Sequence, residues 1–326
     1  MHAGNSISHR AAFGPARKQL LSRMPSTAAP IVTVPRSPWI LAARPRTLSL
    51  SMAPVAVGGA LAWAAEHKVA WAAVLAALVG SALIQAGTNM QNDTLDSEPG
   101  GNAPDRFGPA RASARGLLST AAVKRGALLC FALAALAGIY LVAVGGWPIL
   151  MLGLLSIASG WAYAGGPRPI AYSPLGELFV IVFFGLGAVG GTYWLCTLQL
   201  TAAALAAGLA VGFFTAAVLL VNNHRDLEID TRVGRLTLPM AIGARATHWL
   251  YGAFMLLPFA LLLPIARELP RGEAWLALIA LVPVVPLIAR FAREPRGPGF
   301  NAILARTVQV QLVFALLLCV GLILLP

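Results

Sequence analysis

A chain of 326 residues that is 58% hydrophobic and only 11% charged has too little polar surface to cover a soluble globule of that size. Its formal charge of +12 does not point to nucleic acid, because the basic residues sit between apolar segments rather than on one amphipathic face. Composition therefore places the chain in a bilayer, as a single all-α bundle whose backbone satisfies its own hydrogen bonds in lipid.

The N-terminal stretch is rich in Arg, Pro and Ser, and the first acidic residue of the chain is Glu66. Residues 1–38 read as a disordered basic tail, with a transit-type targeting segment or a start at Met24 as alternatives, and residues 39–326 as one domain. Apolar runs of about 16 to 22 residues then mark nine transmembrane spans. They lie near 47–65, 70–90, 123–144, 147–164, 175–196, 199–221, 247–266, 274–290 and 308–326. The eighth carries Pro283 and Pro286 and is expected to be irregular. Cys130, Cys196 and Cys319 fall inside apolar runs without metal or redox spacing and read as lipid- or core-facing.

All but three of the 24 Lys and Arg lie in the N-terminal segment or in loops that follow even-numbered spans; the exceptions are Lys68, Arg267 and Arg271. The positive-inside rule puts those loops and the N-terminus in the cytoplasm. The 12 acids are also unevenly placed, with Asp93, Asp96, Glu98 and Asp105 after span two and Asp226, Glu228 and Asp230 after span six. Spans one to four and five to eight thus read as two half-bundles, each with an acidic cluster after its second helix.

If span two stays helical to Asp96, then Asn89, Asp93 and Asp96 share one face at i, i+4 and i+7; Asn222, Asp226 and Asp230 follow at i, i+4 and i+8. Two opposed carboxylate faces repel unless a cation lies between them, and all-oxygen ligation suits Mg²⁺, which completes its shell with substrate phosphates. Solvated acids paired with neighbouring arginines is the plainer reading of one cluster. Two clusters of matching spacing in so acid-poor a chain weigh against it. A divalent-cation transporter is the competing class, but it is expected to carry ionisable residues at mid-membrane depth.

Arg106, Arg111, Arg115, Arg225, Arg232 and Arg235 surround the clusters and suit diphosphate oxygens, although each alone also fits a positive-inside anchor. Two more stretches stand out: Arg44-Pro45-Arg46-Thr47-Leu48 at the start of span one, and the Gly- and Pro-rich turn from Tyr163 to Glu177. Arg168 and Glu177 are candidate contacts for an acidic aromatic substrate and a proton, with helix N-terminal charge as an equal reading of Glu177. His224 adjoins the second cluster and is a further candidate to accept a proton.

At these residues, over 39–326, the chain resembles the UbiA superfamily of intramembrane prenyltransferases, and within it the 1,4-dihydroxy-2-naphthoate polyprenyltransferases of menaquinone biosynthesis. The likeness runs in order through RPRTL, NxxNDxxD, DRxGPxR, GxRPxxYxxLGE with Phe183-Phe184-Gly185, NNxRDxxxD, Gly234 to Leu238, and Arg306-Thr307-Val308. It implies a nine-helix bundle with a cavity open laterally to lipid, two Mg²⁺ ions and a polyprenyl diphosphate donor. Carried over by residue, Asn89, Asn92, Asp93 and Asp96 match the first metal motif and Asn223, Asp226 and Asp230 the second. The four aspartates are the implied catalytic acids. Asn89, Arg106, Arg111, Arg168, Asn223, Arg225 and Arg44 are the implied contacts to diphosphate and acceptor. Where relatives usually have Lys-Asn-Thr or Arg-Asn-Thr, this chain has Arg235-Leu236-Thr237.

The implied reaction is ionisation of the allylic diphosphate, attack by the electron-rich ring of 1,4-dihydroxy-2-naphthoate and loss of its carboxylate, giving demethylmenaquinol. 4-Hydroxybenzoate or homogentisate are the alternative acceptors. The implied setting is a bacterial inner membrane, with lipid around the bundle and no nucleic-acid partner.

Overall fold

The structure, a computed structural model, describes residues 37–95, 107, 111–270 and 273–324. The basic segment up to residue 36 and the site candidates Asp96, Glu98, Asp105 and Arg106 lie outside the described residues. Among those described there is no strand, and nine helical segments are long and apolar enough to cross a membrane. The all-α reading and the nine spans hold.

Helix α1 (Pro38–Ala43) and α2 (Pro45–Glu66) each start with proline in the first turn, where its missing N–H costs nothing. Pro45 disfavours helical geometry at the residue before it, and Arg44 sits between the two helices in the left-handed region at φ 54°, ψ 69°. A non-glycine residue keeps that conformation only where its surroundings impose it. Here Arg44 N donates to Ile40 O at 3.1 Å, while Arg44 O accepts from Thr47 N at 2.9 Å and from Thr47 Oγ1 at 3.0 Å.

The first half continues with α3 (Trp71–Leu95), α4 (Thr120–Gly145), whose cap Ser119 accepts from Ala122 N, and α5 (Trp147–Ala164). Next come α6 (Gly176–Thr197), π-helical over Ile181–Gly190, then α7 (Ala202–Arg225) and the short α8 (Leu227–Arg232). The chain ends with α9 (Leu238–Glu268), α10 (Ala274–Arg293) and α11 (Phe300–Leu324). As Pro283 and Pro286 foretold, α10 is irregular: it is a 3₁₀ helix over Ala274–Leu281 and α-helical only from Val284.

Two boundaries differ from the hydropathy reading. The seventh span begins at Leu238 rather than near 247, with a break at Gly243 (φ 78°, ψ 168°), and the ninth at Phe300 rather than 308. Apolar runs stop at charges such as Arg245 and Arg306, whereas the helical backbone carries those side chains outward, where both are exposed.

Helix α7 is the axis of the second half, the most buried of the spans, and packs on α6, α9 and α11. Its approach to α6 needs glycine: a Cβ on Gly185 would lie 2.4 Å from Gly208 O and 2.8 Å from Gly212 Cα. At its other end Thr201 Oγ1 accepts from Ala204 N and Glu268 Oε2 from Ala203 N at 2.9 Å, satisfying two of the N–H groups that open a helix. Phe214 packs on Phe259 and Phe314 in the core. Two polar contacts cross the core at this depth: Gln311 Nε2 donates to Thr215 Oγ1 at 2.8 Å, and the Tyr251 and Thr307 hydroxyls meet at 2.8 Å.

Candidate active site

The first acidic motif ends α3, which is helical through Leu95, so Asn89 and Asp93 do share a face. Both are buried. A backbone carbonyl can only accept, so the contact with Ala43 O at 2.8 Å fixes the Asn89 amide: Nδ2 also donates to Thr47 Oγ1 at 2.8 Å, and Oδ1 accepts from Gln85 Nε2 at 3.0 Å. The Arg44-to-Leu48 motif therefore works partly as scaffold, holding the amide it sits against. Asp93 is gripped by the segment that follows: Ala112 N donates to Oδ2 at 2.9 Å, Ser113 N to Oδ1 at 3.0 Å, and the Ser113 hydroxyl bonds to the same carboxylate. Arg111, next to this grip, is buried, and Asn92 is half-buried.

The second motif spans the end of α7 and α8. The i+4 backbone bonds Asp226 N to Asn222 O and Asp230 N to Asp226 O continue through the junction at 3.2 and 2.8 Å, keeping the helical spacing read from sequence. Asp226 and Asp230 are buried, and each faces an arginine. Arg225 donates from Nε and Nη2 to the two Asp226 oxygens at 2.8 and 2.7 Å, and Arg235 Nη1 lies 3.3 Å from Asp230 Oδ1. The arginine pairs of the plainer reading are thus present, but the carboxylates are buried rather than solvated.

Glu177, in the first turn of α6, is 2% exposed and accepts from Asn223 Nδ2 at 3.0 Å. Its Oε2 is buried with no hydrogen-bond partner among the described residues. The His224 ring is buried and packs among His248, Phe291 and Phe300. Arg168 is exposed on the Gly- and Pro-rich turn. That turn reaches the second motif through Tyr172, whose carbonyl accepts from Leu236 N at 3.2 Å and whose ring lies under the Arg235 guanidinium at 4.6 Å. The connection after α3 reaches it as well, since Asn301 Nδ2 donates to Phe107 O at 2.9 Å while Asn301 Oδ1 accepts from Arg225 Nη1 at 2.7 Å.

Among the described residues no three acidic, His or Cys side chains converge as a metal cluster; Asp96 lies outside them. The donor chemistry nevertheless fits a hard divalent cation. Asp93, Asp226, Asp230, Asn89 and Asn223 offer oxygen alone, and the unpartnered Glu177 oxygen beside Asn223 is a buried acceptor that a cation or its water would satisfy. Sequence reasoning missed Gln85, Ser113 and Asn301. An amide inside an apolar span was the available signal for Gln85.

The sequence profile of the UbiA prenyltransferase family matches residues 51–302. The 1,4-dihydroxy-2-naphthoate octaprenyltransferase of Mycobacterium tuberculosis (strain ATCC 25618 / H37Rv) is 39% identical over 214 residues, 65% of this chain and 72% of that protein. The Escherichia coli (strain K12) protein of the same name is 37% identical over 219 residues, 64% of this chain and 71% of its own. A solved structure of a UbiA homolog from Archaeoglobus fulgidus bound to GPP and Mg²⁺ superposes with a TM-score of 0.66 at 15% identity, over 88% of this chain and 99% of that one, a likeness of fold.

Proposed function

The chain belongs to the UbiA prenyltransferase family and is an integral membrane prenyltransferase; from that premise we propose that it transfers a polyprenyl group from its diphosphate to 1,4-dihydroxy-2-naphthoate, releasing CO₂ and giving demethylmenaquinol. The single observation that carries the reading is the pair of buried acidic motifs held at the ends of α3 and α7 and linked through Asn301 to one connection. The names of five relatives at 32–39% identity support the acceptor. The proposed setting is a bacterial inner membrane with both motifs on the cytoplasmic side, as the Lys and Arg distribution supports.

Two Mg²⁺ ions are proposed, one held by Asn89, Asn92, Asp93 and Asp96 and the other by Asn223, Asp226 and Asp230. Bound there, the metal supplies neutralisation of the charge that gathers on the departing diphosphate. Arg111, buried and next in sequence to the Ala112 that grips Asp93, together with Arg106, holds the diphosphate oxygens by charge-assisted hydrogen bonds. In this reading Arg168 and Arg44 take the carboxylate of the acceptor. The donor C–O bond breaks with its electron pair leaving on the diphosphate, a ring carbon of the acceptor supplies the pair for the new C–C bond, and the bond from ring to carboxylate then breaks, its pair returning to the ring as CO₂ departs. Apolar walls keep water from the allylic cation meanwhile.

The test is an assay in membranes with Mg²⁺, a long-chain prenyl diphosphate and labelled 1,4-dihydroxy-2-naphthoate, 4-hydroxybenzoate or homogentisate in turn. The proposal expects chelator-sensitive lipid-soluble product and CO₂ from the first acceptor. Product from either of the others alone would move the acceptor, and no product from any would overturn the reading.

A further inference from the structure

Arg225, beside the second acidic motif, reads from sequence as a diphosphate contact, but the structure puts its donors elsewhere. Its side chain is 2% exposed, and four of its N–H groups are engaged within the protein: two on the Asp226 carboxylate, one on Asn222 Oδ1 at 2.9 Å and one on Asn301 Oδ1 at 2.7 Å. A guanidinium carries five such donors, so little of it is left for a substrate.

Asn301 is the second residue of α11 and is anchored by its own N–H on Pro298 O at 3.0 Å. Its amide orientation is unambiguous, because one neighbour is a cation that can only donate and the other, Phe107 O, is a carbonyl that can only accept. Phe107 lies four residues before Arg111, where the segment begins that grips Asp93 through Ala112 and Ser113. Hydrogen bonds thus run from Asp226 through Arg225 and Asn301 to Phe107 O, and Asp93 is held by Ala112 and Ser113 five and six residues after Phe107 in sequence.

We propose that Asn301 is a positioning residue: it clasps Arg225, so that the Asp226 carboxylate is preset, and on its other side holds the Phe107 carbonyl, four residues before the diphosphate-binding candidate Arg111. The kinetic part rests on the prenyl-transfer reading; the metal-binding part does not. Asparagine is suited to both tasks because it offers an acceptor and a donor at once. Aspartate at this position keeps the acceptor for Arg225 and turns an oxygen toward the Phe107 carbonyl, so the two tasks separate.

The experiment compares wild type, Asn301→Leu and Asn301→Asp, purified as full chains. Mn²⁺ binding is followed by electron paramagnetic resonance without substrate, alongside the KM for prenyl diphosphate, the KM for acceptor and thermal unfolding. Loss of a hydrogen bond to a charged group predicts about tenfold weaker Mn²⁺ binding in Asn301→Leu and wild-type or tighter binding in Asn301→Asp. The prenyl diphosphate KM rises about tenfold in both variants and the acceptor KM changes less than about twofold.

Wild-type Mn²⁺ affinity and KM in folded Asn301→Leu overturns the proposal, as does a lowered unfolding temperature with unchanged constants. Should Asn301→Leu not fold, the split in Asn301→Asp decides alone, and a change in both constants or in neither overturns the clasp. Normal Mn²⁺ binding by a wild-type chain that prenylates no acceptor sinks the functional reading, with the Mn²⁺ contrast between variants still judging the clasp.

Discussion

The two acidic motifs each bury an aspartate four residues after an asparagine, by different means. At the end of α3, Asp93 is gripped by backbone N–H groups and a hydroxyl from a segment 20 residues further on. At the end of α7, Asp226 and Asp230 are met by guanidinium groups one and five residues away. The second motif draws its charge partners from its own local sequence, with Asn301 bracing Arg225 from α11, while the first is complete only when its connection has folded back. The comparison teaches that charge pairing and backbone dipoles can each keep a carboxylate buried, and that they should fail differently when cut.

The largest effect is expected from Arg225→Met, which strands a buried Asp226 charge at a cost of about 3–5 kcal/mol. Folded protein should fall sharply in detergent thermal-unfolding assays, and the double variant Arg225→Met/Asp226→Asn should recover folding but not turnover. Ser113→Ala is expected to be milder. It leaves both N–H grips on Asp93, so stability should change by about 1 kcal/mol or less while kcat/KM for prenyl diphosphate drops about tenfold. If Ser113→Ala unfolds the protein as Arg225→Met does, the contrast between the two motifs is wrong.

Smaller still is Tyr172→Leu, which removes the ring beneath Arg235. A partly exposed cation–π contact is worth about 1 kcal/mol, or about fivefold in kcat/KM, and Tyr172→Phe, which keeps the ring, should stay within about twofold of wild type. Equal losses in both variants would assign the effect to the phenol instead.

Much of the fold was legible because a bilayer leaves few options: the nine apolar runs match nine membrane-length helices among the described residues, and Pro283 and Pro286 marked an irregular one. Helix starts were less legible, since hydropathy stops at Arg245 and Arg306 where the backbone does not. In the site, Asn89, Asp93, Asp226 and Asp230 stood out by spacing and by the scarcity of acids. The partners that hold them did not. Ser113 and Asn301 are ordinary polar residues that acquire a role only through contacts 20 and 76 residues away in sequence, and no local pattern records such contacts. Arg225 was visible, but as a cation near acids it read as a ligand for phosphate, and only the geometry of its donors turns it toward Asp226.

The most direct test of the central claim, that both motifs serve one metal-dependent transfer site, is prenyl transfer by folded Asp93→Asn, Asp226→Asn and the double variant, over a range of Mg²⁺ concentrations. Each single variant should fall to background at every Mg²⁺ concentration in the protein that stays folded, with Asp226→Asn the less stable because it leaves Arg225 buried without its carboxylate, and the double should be no worse in turnover than either. Near-wild-type turnover in either single variant, or losses that multiply in the double, would contradict a shared site.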